Sequence, residues 1–373
     1  MRKSSALAGL VLSSALVLAA CGSDDAGGGD DDTAAPDGGE STCLADLPAE
    51  GEDEPLTPTE GASGVEVSGS FGDKPELVIP DADPAVELTV EVLSEGDGSE
   101  LSACDLVTVD YLGQTWEAAE DAETPDFDNS FDREDPFRLN LGLGQVIAGW
   151  DAALQGQKVG SRVLLSIPPE HAYGELDEDA EEGTQHELAG ETLLFVVDIV
   201  DSISASAGIS GDEVSDLPAD VPAVTGDGAG AEPELDLEGI EPVAESDAVL
   251  LVAGDGEDLQ DFLVVNVLQV SYLTGETMFS TWANGQGPLG TTAAPLTAAD
   301  LPGLADALDG QKVGSRVVVR ISAEDNPAAP EPEATEEPTD EPDAEATDEP
   351  DKSADDEPTG EPLAIVLDIV GTY

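Results

Sequence analysis

The chain has 373 residues, length enough for two or three domains at roughly 100–200 residues each. It carries 84 acidic residues against 11 basic, a formal net charge of −73. That charge all but excludes nucleic acid as a partner, because phosphate binding needs clustered Lys and Arg, and it argues equally against adsorption to anionic lipid headgroups.

From the first residue onward, the chain reads as an exported one. Met1-Arg2-Lys3 is a short positive region and Leu7 to Ala20 an apolar one, too short for a comfortable membrane span. Leu18-Ala19-Ala20-Cys21 follows, a stretch that resembles a bacterial lipobox. Residues 1–20 are therefore expected to be a lipoprotein signal peptide and Cys21 the lipid attachment point, on the extracytoplasmic face of the cell membrane. The only membrane contact expected is through that lipid. Gly22 to Ser41 is Gly- and Asp-rich, and 21–60 is expected to be a flexible acidic tether. Outside the membrane the excess charge reads first as solubility through self-repulsion, ahead of a salt-rich habitat or a dedicated cation site. If Cys21 is lipidated, Cys43 and Cys104 remain as an even pair in an oxidising compartment, which makes a disulfide between them the expectation, with two unrelated thiols as the alternative.

The folded part opens with Leu88 to Leu93, an alternating stretch. Val107, Val109 and Tyr111 then alternate with Thr108 and Asp110, the signature of a half-buried strand. Ile147, Trp150 and Leu154 fall at i, i+3 and i+7, one face of a helix, which Gly156 is placed to end. Arg162 to Ile167 and Leu193 to Val200 are near-continuous apolar strands. A sheet with one short helix packed across it is an α+β pattern.

The pattern recurs. Residues 152–167 read AALQGQKVGSRVLLSI and residues 306–321 read DALDGQKVGSRVVVRI, sharing the run GQKVGSR at an offset of 154. An identity of that length marks a tandem duplication. Val109-Asp110-Tyr111-Leu112-Gly113 matches Val270-Ser271-Tyr272-Leu273-Thr274-Gly275 with one insertion. Leu193 to Val200 matches Leu363 to Val370 at an offset of 170. The added length lies in a Pro/Glu/Asp/Thr tract that cannot bury enough apolar surface to fold. The expected domains are 61–203, a linker at 204–230, and 231–373 with a disordered acidic insertion at 324–362.

The first copy reads VTVDYLG (107–113), FDNSFDREDPFRLNLGLGQVIAGWD (127–151), GQKVGSRVLLSIPPEHAYG (156–174) and TLLFVVDIV (192–200). In order, spacing and identity these segments resemble FKBP-type peptidyl-prolyl cis/trans isomerases over residues 85–201. Residues 64–75 also resemble, more weakly, the leader of secreted actinobacterial members. The resemblance implies an antiparallel twisted sheet of about five strands wrapped over one short helix, twice over. It implies isomerisation of proline-containing client polypeptides at the cell envelope, without metal or organic cofactor, in a cleft that also suits a macrolide-type inhibitor. Trp150 would form the floor under the proline ring, and Tyr111, Phe137, Val146, Ile147 and Phe195 the walls. Phe127 would shape the cleft, Asp128 would stand near the carbonyl, and Tyr173 would offer a hydroxyl beside the Ile147 backbone N–H. The chain departs from the family at residues 175–191, ELDEDAEEGTQHELAGE, where an aliphatic loop usually overhangs the cleft. Leu176 or Leu188 could supply the aliphatic contact, and His186 reads as a loop residue. The acidic overhang should favour basic clients.

The second copy keeps the scaffold but departs where chemistry would sit. Asp128 corresponds to Ser280, Trp150 to Leu304 and Ile147 to Leu301, while the PF and AYG motifs lack clear counterparts. A folded but catalytically silent domain is expected. The alternative readings of the whole chain are a non-catalytic chaperone that grips proline segments in the same cleft, and a scaffold lipoprotein with a vestigial fold. Gly142-Leu143-Gly144 lacks the third Gly of a dinucleotide loop. Two His residues in the whole chain give a His-based metal site little support.

Overall fold

A computed structural model describes residues 56–61, 63–117, 126–133, 135–177, 180, 184–283, 285, 287–292, 301–326 and 360–373. Cys21, Cys43, the signal peptide and nearly all of the tether lie outside the described residues, as does the body of the acidic insertion. Among the described residues, no helix is long and apolar enough to cross a membrane.

The first unit contains β1 (Thr59–Glu60), β2 (Glu66–Ser68), β3 (Glu76–Val78), β4 (Thr89–Ser94), β5 (Leu106–Thr115), β6 (Asp126–Asn129), β7 (Phe137–Asn140), helix α1 (Ala148–Leu154), β8 (Arg162–Ile167) and β9 (Leu193–Ile203). The sheet runs β1-β4-β8-β9-β5-β6, with β7 also beside β5. All pairings in it are antiparallel except that of the two-residue β1 with β4. The α+β expectation holds, with seven strands where about five are expected, because the edge beside β5 is split into β6 and β7. The side chains of β5, β8 and β9 that face α1 form one core with Trp150, Ala153 and Leu154 of the helix. The opposite face is covered by the hairpin β2–β3, through Val65, Val67, Leu77 and Ile79.

The second unit contains β10 (Gly211–Glu213), β11 (Ala223–Thr225), β12 (Glu234–Asp236), β13 (Asp247–Gly254), β14 (Phe262–Ser271), β15 (Thr277–Ser280), β16 (Leu289–Thr292), helix α2 (Leu304–Leu308), β17 (Arg316–Ile321) and β18 (Leu363–Thr372). Its sheet order, β10-β13-β17-β18-β14-β15 with β16 beside β14, repeats the first. It starts earlier than composition suggests. Within 204–230 lie β10, which pairs with β13, and β11, the first strand of the hairpin β11–β12 that covers the sheet through Val224, Leu235 and Leu237. These apolar residues are too sparse among Gly, Asp and Pro to register as a folding segment. The acidic insertion leaves and returns at one point, where Asn326 Nδ2 donates to the Glu361 carbonyl at 2.7 Å and the Glu361 N–H to the Asn326 carbonyl at 3.1 Å.

The duplicated run GQKVGSR has a structural reason in both units. Arg162 donates from Nε and Nη2 to Asp198 at 2.5 and 2.7 Å, and Arg316 makes the same bidentate pair with Asp368 at 2.6 and 2.7 Å. Both pairs are buried, and each is closed over by its hairpin. Arg162 also donates to the Asp73 carbonyl, and Asp198 accepts the Gly72 N–H. Arg316 donates to the Gly226 carbonyl. The preceding serines, Ser161 and Ser315, accept the N–H groups of Gly96 and Gly254. The longest identity in the sequence therefore records scaffold, not chemistry.

Candidate functional site

The inner row of β5 runs Val107, Val109, Tyr111 and then Gly113, where the alternating pattern places a side chain and the sequence provides none. A Cβ at Gly113 would lie 2.6 Å from Phe195 Cε1 and 2.9 Å from Phe127 Cζ. The missing side chain lets the ring of Phe195, paired opposite on β9, and the ring of Phe127 on β6 close in. Gly113→Ala is expected to destabilise the chain by about 1–3 kcal/mol, the usual penalty for overpacking, read as a fall in the urea midpoint. An unchanged midpoint would mean that the rings are not held as described.

Five aromatic rings meet at this point. Trp150, at the start of α1, stands edge-on to Tyr111 (centroids 5.3 Å apart), Phe195 (5.1 Å) and Phe137 (6.3 Å). Tyr111 lies 5.9 Å from Phe137 and 6.3 Å from Phe195, and Phe127 lies 5.6 Å from Phe195. Edge-to-face pairs contribute about 0.5–1.5 kcal/mol each beyond area burial, so the rings brace one another. Val146 and Ile147 pack against the same cluster from the loop before α1. Trp150, Tyr111 and Phe195 are buried, while Phe127 at the rim is 39% exposed.

That loop is held by Asp151, a buried carboxylate on the first turn of α1. It accepts the N–H groups of Gly142 at 2.8 Å and Gly144 at 3.0 Å. Burial pushes its pKa up, against the lowering effect of the two N–H donors. Ile147 is the N-cap residue of α1, so its own N–H lies outside the helical ladder.

Polar groups border the ring cluster beside Tyr111. The Tyr111 hydroxyl donates to Asp128, Arg133 forms an ion pair with Asp128, and Arg133 Nη2 donates to the Tyr111 hydroxyl at 3.0 Å. Burial and then Asp128 raise the Tyr111 pKa, so the phenol keeps its proton at neutral pH. Tyr173, 39% exposed, stands across the rim, its pKa raised by burial and then by the charge of Asp128. The imidazole of His186 stacks on Tyr173, centroids 3.6 Å apart and planes 8° from parallel. Of the two aliphatic candidates in the 175–191 loop, Leu188 packs against the core and Leu176 is 59% exposed.

The structure thus gathers Tyr111, Phe127, Phe137, Val146, Ile147, Trp150 and Phe195 in one cluster, with Asp128 bonded to Tyr111 beside it and Tyr173 near enough to feel the charge of Asp128. Arg133 escapes sequence reasoning. The available signal is its placement five residues after Asp128, across the turn where Ser130 Oγ donates to Asp110 and accepts the Tyr111 N–H. Cys104 is disulfide-bonded, its partner lying outside the described residues. Among the described residues, no group of three or more His, Cys, Asp or Glu is arranged to hold a metal.

The second unit carries different side chains at these positions, and strand register corrects the alignment of the copies. Asp110 pairs with Asp198 and Asn266 with Asp368, so Val267, not Tyr272, takes the place of Tyr111. Asp128 pairs with Gly113 and Phe279 with Gln269. Phe279, not Ser280, therefore stands where Asp128 does. The connection 116–125 shrinks to 272–276 in the second copy, which shifts the motifs against one another. Pro136-Phe137 does have a counterpart, Pro288-Leu289, because Phe137 faces Val109 as Leu289 faces Val265. The five rings Tyr111, Phe127, Phe137, Trp150 and Phe195 become Val267, Met278, Leu289, Leu304 and Ile365.

Residues 98–200 match the family model described as FKBP-type peptidyl-prolyl cis-trans isomerase. The chain is 41% identical over 128 residues to an FK506-binding protein of Streptomyces anulatus, covering 34% of this chain and 96% of that protein. It is 35% identical over 128 residues to a probable FK506-binding protein of Corynebacterium glutamicum, covering 34% of this chain and 98% of that protein. The crystal structure of AtFKBP13 aligns with a TM-score of 0.26 at 28% identity, over 31% of this chain and 91% of that one.

Proposed function

Because the chain belongs to the FKBP-type peptidyl-prolyl cis-trans isomerase family, we propose that its first unit catalyses cis/trans isomerisation of prolyl bonds in exported proteins and that its second unit is catalytically silent. The supporting observation is the cluster of five aromatic rings, with a carboxylate bonded beside it, that the second unit replaces with Val267, Met278, Leu289, Leu304 and Ile365.

The chemistry follows from the amide. Rotation about a prolyl bond faces a barrier of about 18–20 kcal/mol, because twisting destroys C–N resonance, and takes tens to hundreds of seconds unaided. No nucleophile is needed. Water hydrogen-bonded to the carbonyl stabilises the planar form, and a pit walled by rings strips it away. Trp150 supports the prolyl ring while Tyr111, Phe137, Val146, Ile147 and Phe195 enclose it. The Tyr173 hydroxyl and the Ile147 N–H are the donors this reading assigns to the substrate carbonyl. Asp128 is held in place by Tyr111 and Arg133, so its charge enters the site already compensated on one side.

Clients follow from charge. All eight described Lys and Arg side chains lie within 4.0 Å of a carboxylate, which leaves the unpaired surface acidic. Peptides with Lys beside the proline are expected to react with kcat/KM severalfold above their Glu counterparts, a gap that narrows as salt rises. Equal rates at low salt would contradict this. The protein is assigned to the extracytoplasmic face of the membrane, anchored by lipid on Cys21, with Cys43 bridged to Cys104, and the pit is assigned as the site for a macrolide-type inhibitor. A protease-coupled prolyl peptide assay on the intact chain tests the activity: catalysis above the spontaneous rate supports the reading, and none would leave a binding module.

A further inference from the structure

The two units are packed against each other, and the contact falls on the segment that carries two walls of the pit. On β7, Phe137 and Leu139 face the pit and core, while Arg138 and Asn140 point the other way. Both outward residues end in the second unit. The Arg138 guanidinium lies 4.7 Å from the ring centroid of Phe262 and 5.0 Å from that of Tyr373, two rings that themselves stand 5.8 Å apart. Asn140 Nδ2 donates to the buried Pro288 carbonyl at 3.0 Å.

Around these contacts the interface is apolar and close. Leu106 of the first unit is buried with Val264 and Val370 of the second, flanked by Ile203, Phe262 and Tyr373. A Cβ on Gly371 would sit 2.2 Å from Ile203 Cδ1, and one on Gly287 would sit 2.3 Å from the Cys104 carbonyl oxygen. Backbone and side chains thus approach to distances that no larger residue at these positions allows.

The grip passes on to the loop before α1. The Asn140 N–H donates to Gln145 Oε1 at 3.1 Å. The Leu141 N–H donates to the Asp105 carbonyl, and the Cys104 N–H to the Leu141 carbonyl. Segment 137–147, with Phe137 at one end and Val146-Ile147 at the other, is held from outside by the second unit.

We propose that the second unit is a positioning element for the first unit's pit: through Phe262, Tyr373 and Pro288 it fixes Arg138 and Asn140, and so sets Phe137, Val146 and Ile147 in place. Arg138 is then a positioning residue for the reaction, and the retention of a silent copy has a physical reason. This rests on the isomerase reading above.

The test uses the intact chain and the variants Arg138→Gln, Arg138→Lys, Phe262→Ala and the double variant Arg138→Gln/Phe262→Ala. With Leu273→Ser, at an exposed site, as the control, prolyl peptide kinetics are read beside amide hydrogen exchange. Loss of the cation–ring contact is expected to raise KM about threefold to tenfold. It should also speed exchange at residues 137–147 while leaving β8 and β9 protected. The double variant should be no worse than the stronger single, Arg138→Lys should recover part of the loss, and the control should match wild type. A contact that merely stabilises would lower the folded fraction, and with it apparent kcat, and leave KM unmoved; that result would overturn the proposal. So would unchanged exchange at 137–147 in both single variants. Arg138→Gln keeps the test open if Phe262→Ala unfolds, because the Arg138 side chain is 26% exposed. If the wild-type chain shows no isomerase rate, the functional reading fails, and the exchange arm still decides whether the second unit holds this segment.

Discussion

Trp150→Leu is expected to abolish most of the isomerase activity while leaving the fold in place. The substitution gives the first unit the residue that the second carries at the same turn of its helix, where Leu304 is fully buried under an equivalent sheet. The leucine removes three edge-to-face contacts, with Tyr111, Phe137 and Phe195. With the aromatic floor under the prolyl ring gone, kcat/KM should fall by at least about tenfold, the effect of about 1.4 kcal/mol of lost transition-state stabilisation. Circular dichroism should show the secondary structure retained. The reverse change, Leu304→Trp, should create no activity, because Val267, Leu289 and Ile365 still line the second pit. A Trp150→Leu protein with wild-type kcat/KM would mean that the pit is core packing and nothing more.

Breaking the buried ion pair should produce the largest loss of stability. Arg162→Met leaves the Asp198 carboxylate buried with, among the described residues, only the Gly72 N–H donating to it. Removing one partner of such a pair costs about 3–5 kcal/mol, because the remaining charge is desolvated and uncompensated. The expected result is a large drop in the denaturation midpoint of the first unit, with little dependence on salt, since the hairpin β2–β3 shields the pair. Arg316→Met should do the same to the second unit. Each variant should lower its own unit's transition more than its neighbour's. A loss below about 1 kcal/mol, the scale of exposed pairs, would show that water reaches the site.

These two predictions divide the molecule as the sequence does. The scaffold was legible because buried Arg–Asp pairs and their supporting serines tolerate no drift, so GQKVGSR stands out at a fixed offset. The pit was legible in the first copy because its rings lie within short motifs: Tyr111 on an alternating strand, Phe127-Asp128 and Phe137 flanking a turn, Trp150 on a helical face. It was misread in the second copy, because a connection five residues shorter slides Tyr272 onto the apparent position of Tyr111. Only strand register, Asn266 against Asp368, shows that Val267 belongs there. Arg133 was not legible, because its function depends on folding back over Asp128. The interface was illegible for a stronger reason. Arg138 meets Phe262 and Tyr373 across more than a hundred residues of chain, and no local pattern encodes a contact of that range. Strands β10 and β11 sit inside what composition marks as linker, because strand pairing and a few apolar side chains suffice to hold them to the second unit.

On the isomerase reading, the aromatic cluster of the first unit speeds rotation about a bound prolyl bond. Exchange NMR on a Lys-Pro peptide with a catalytic amount of the intact chain measures that rotation directly. At mixing times of about one second the free peptide, which interconverts over tens to hundreds of seconds, shows no cis–trans exchange peaks. The account predicts strong exchange peaks with the wild-type chain and their near loss with Trp150→Leu; absent peaks with wild type, or equal peaks with both proteins, would contradict it.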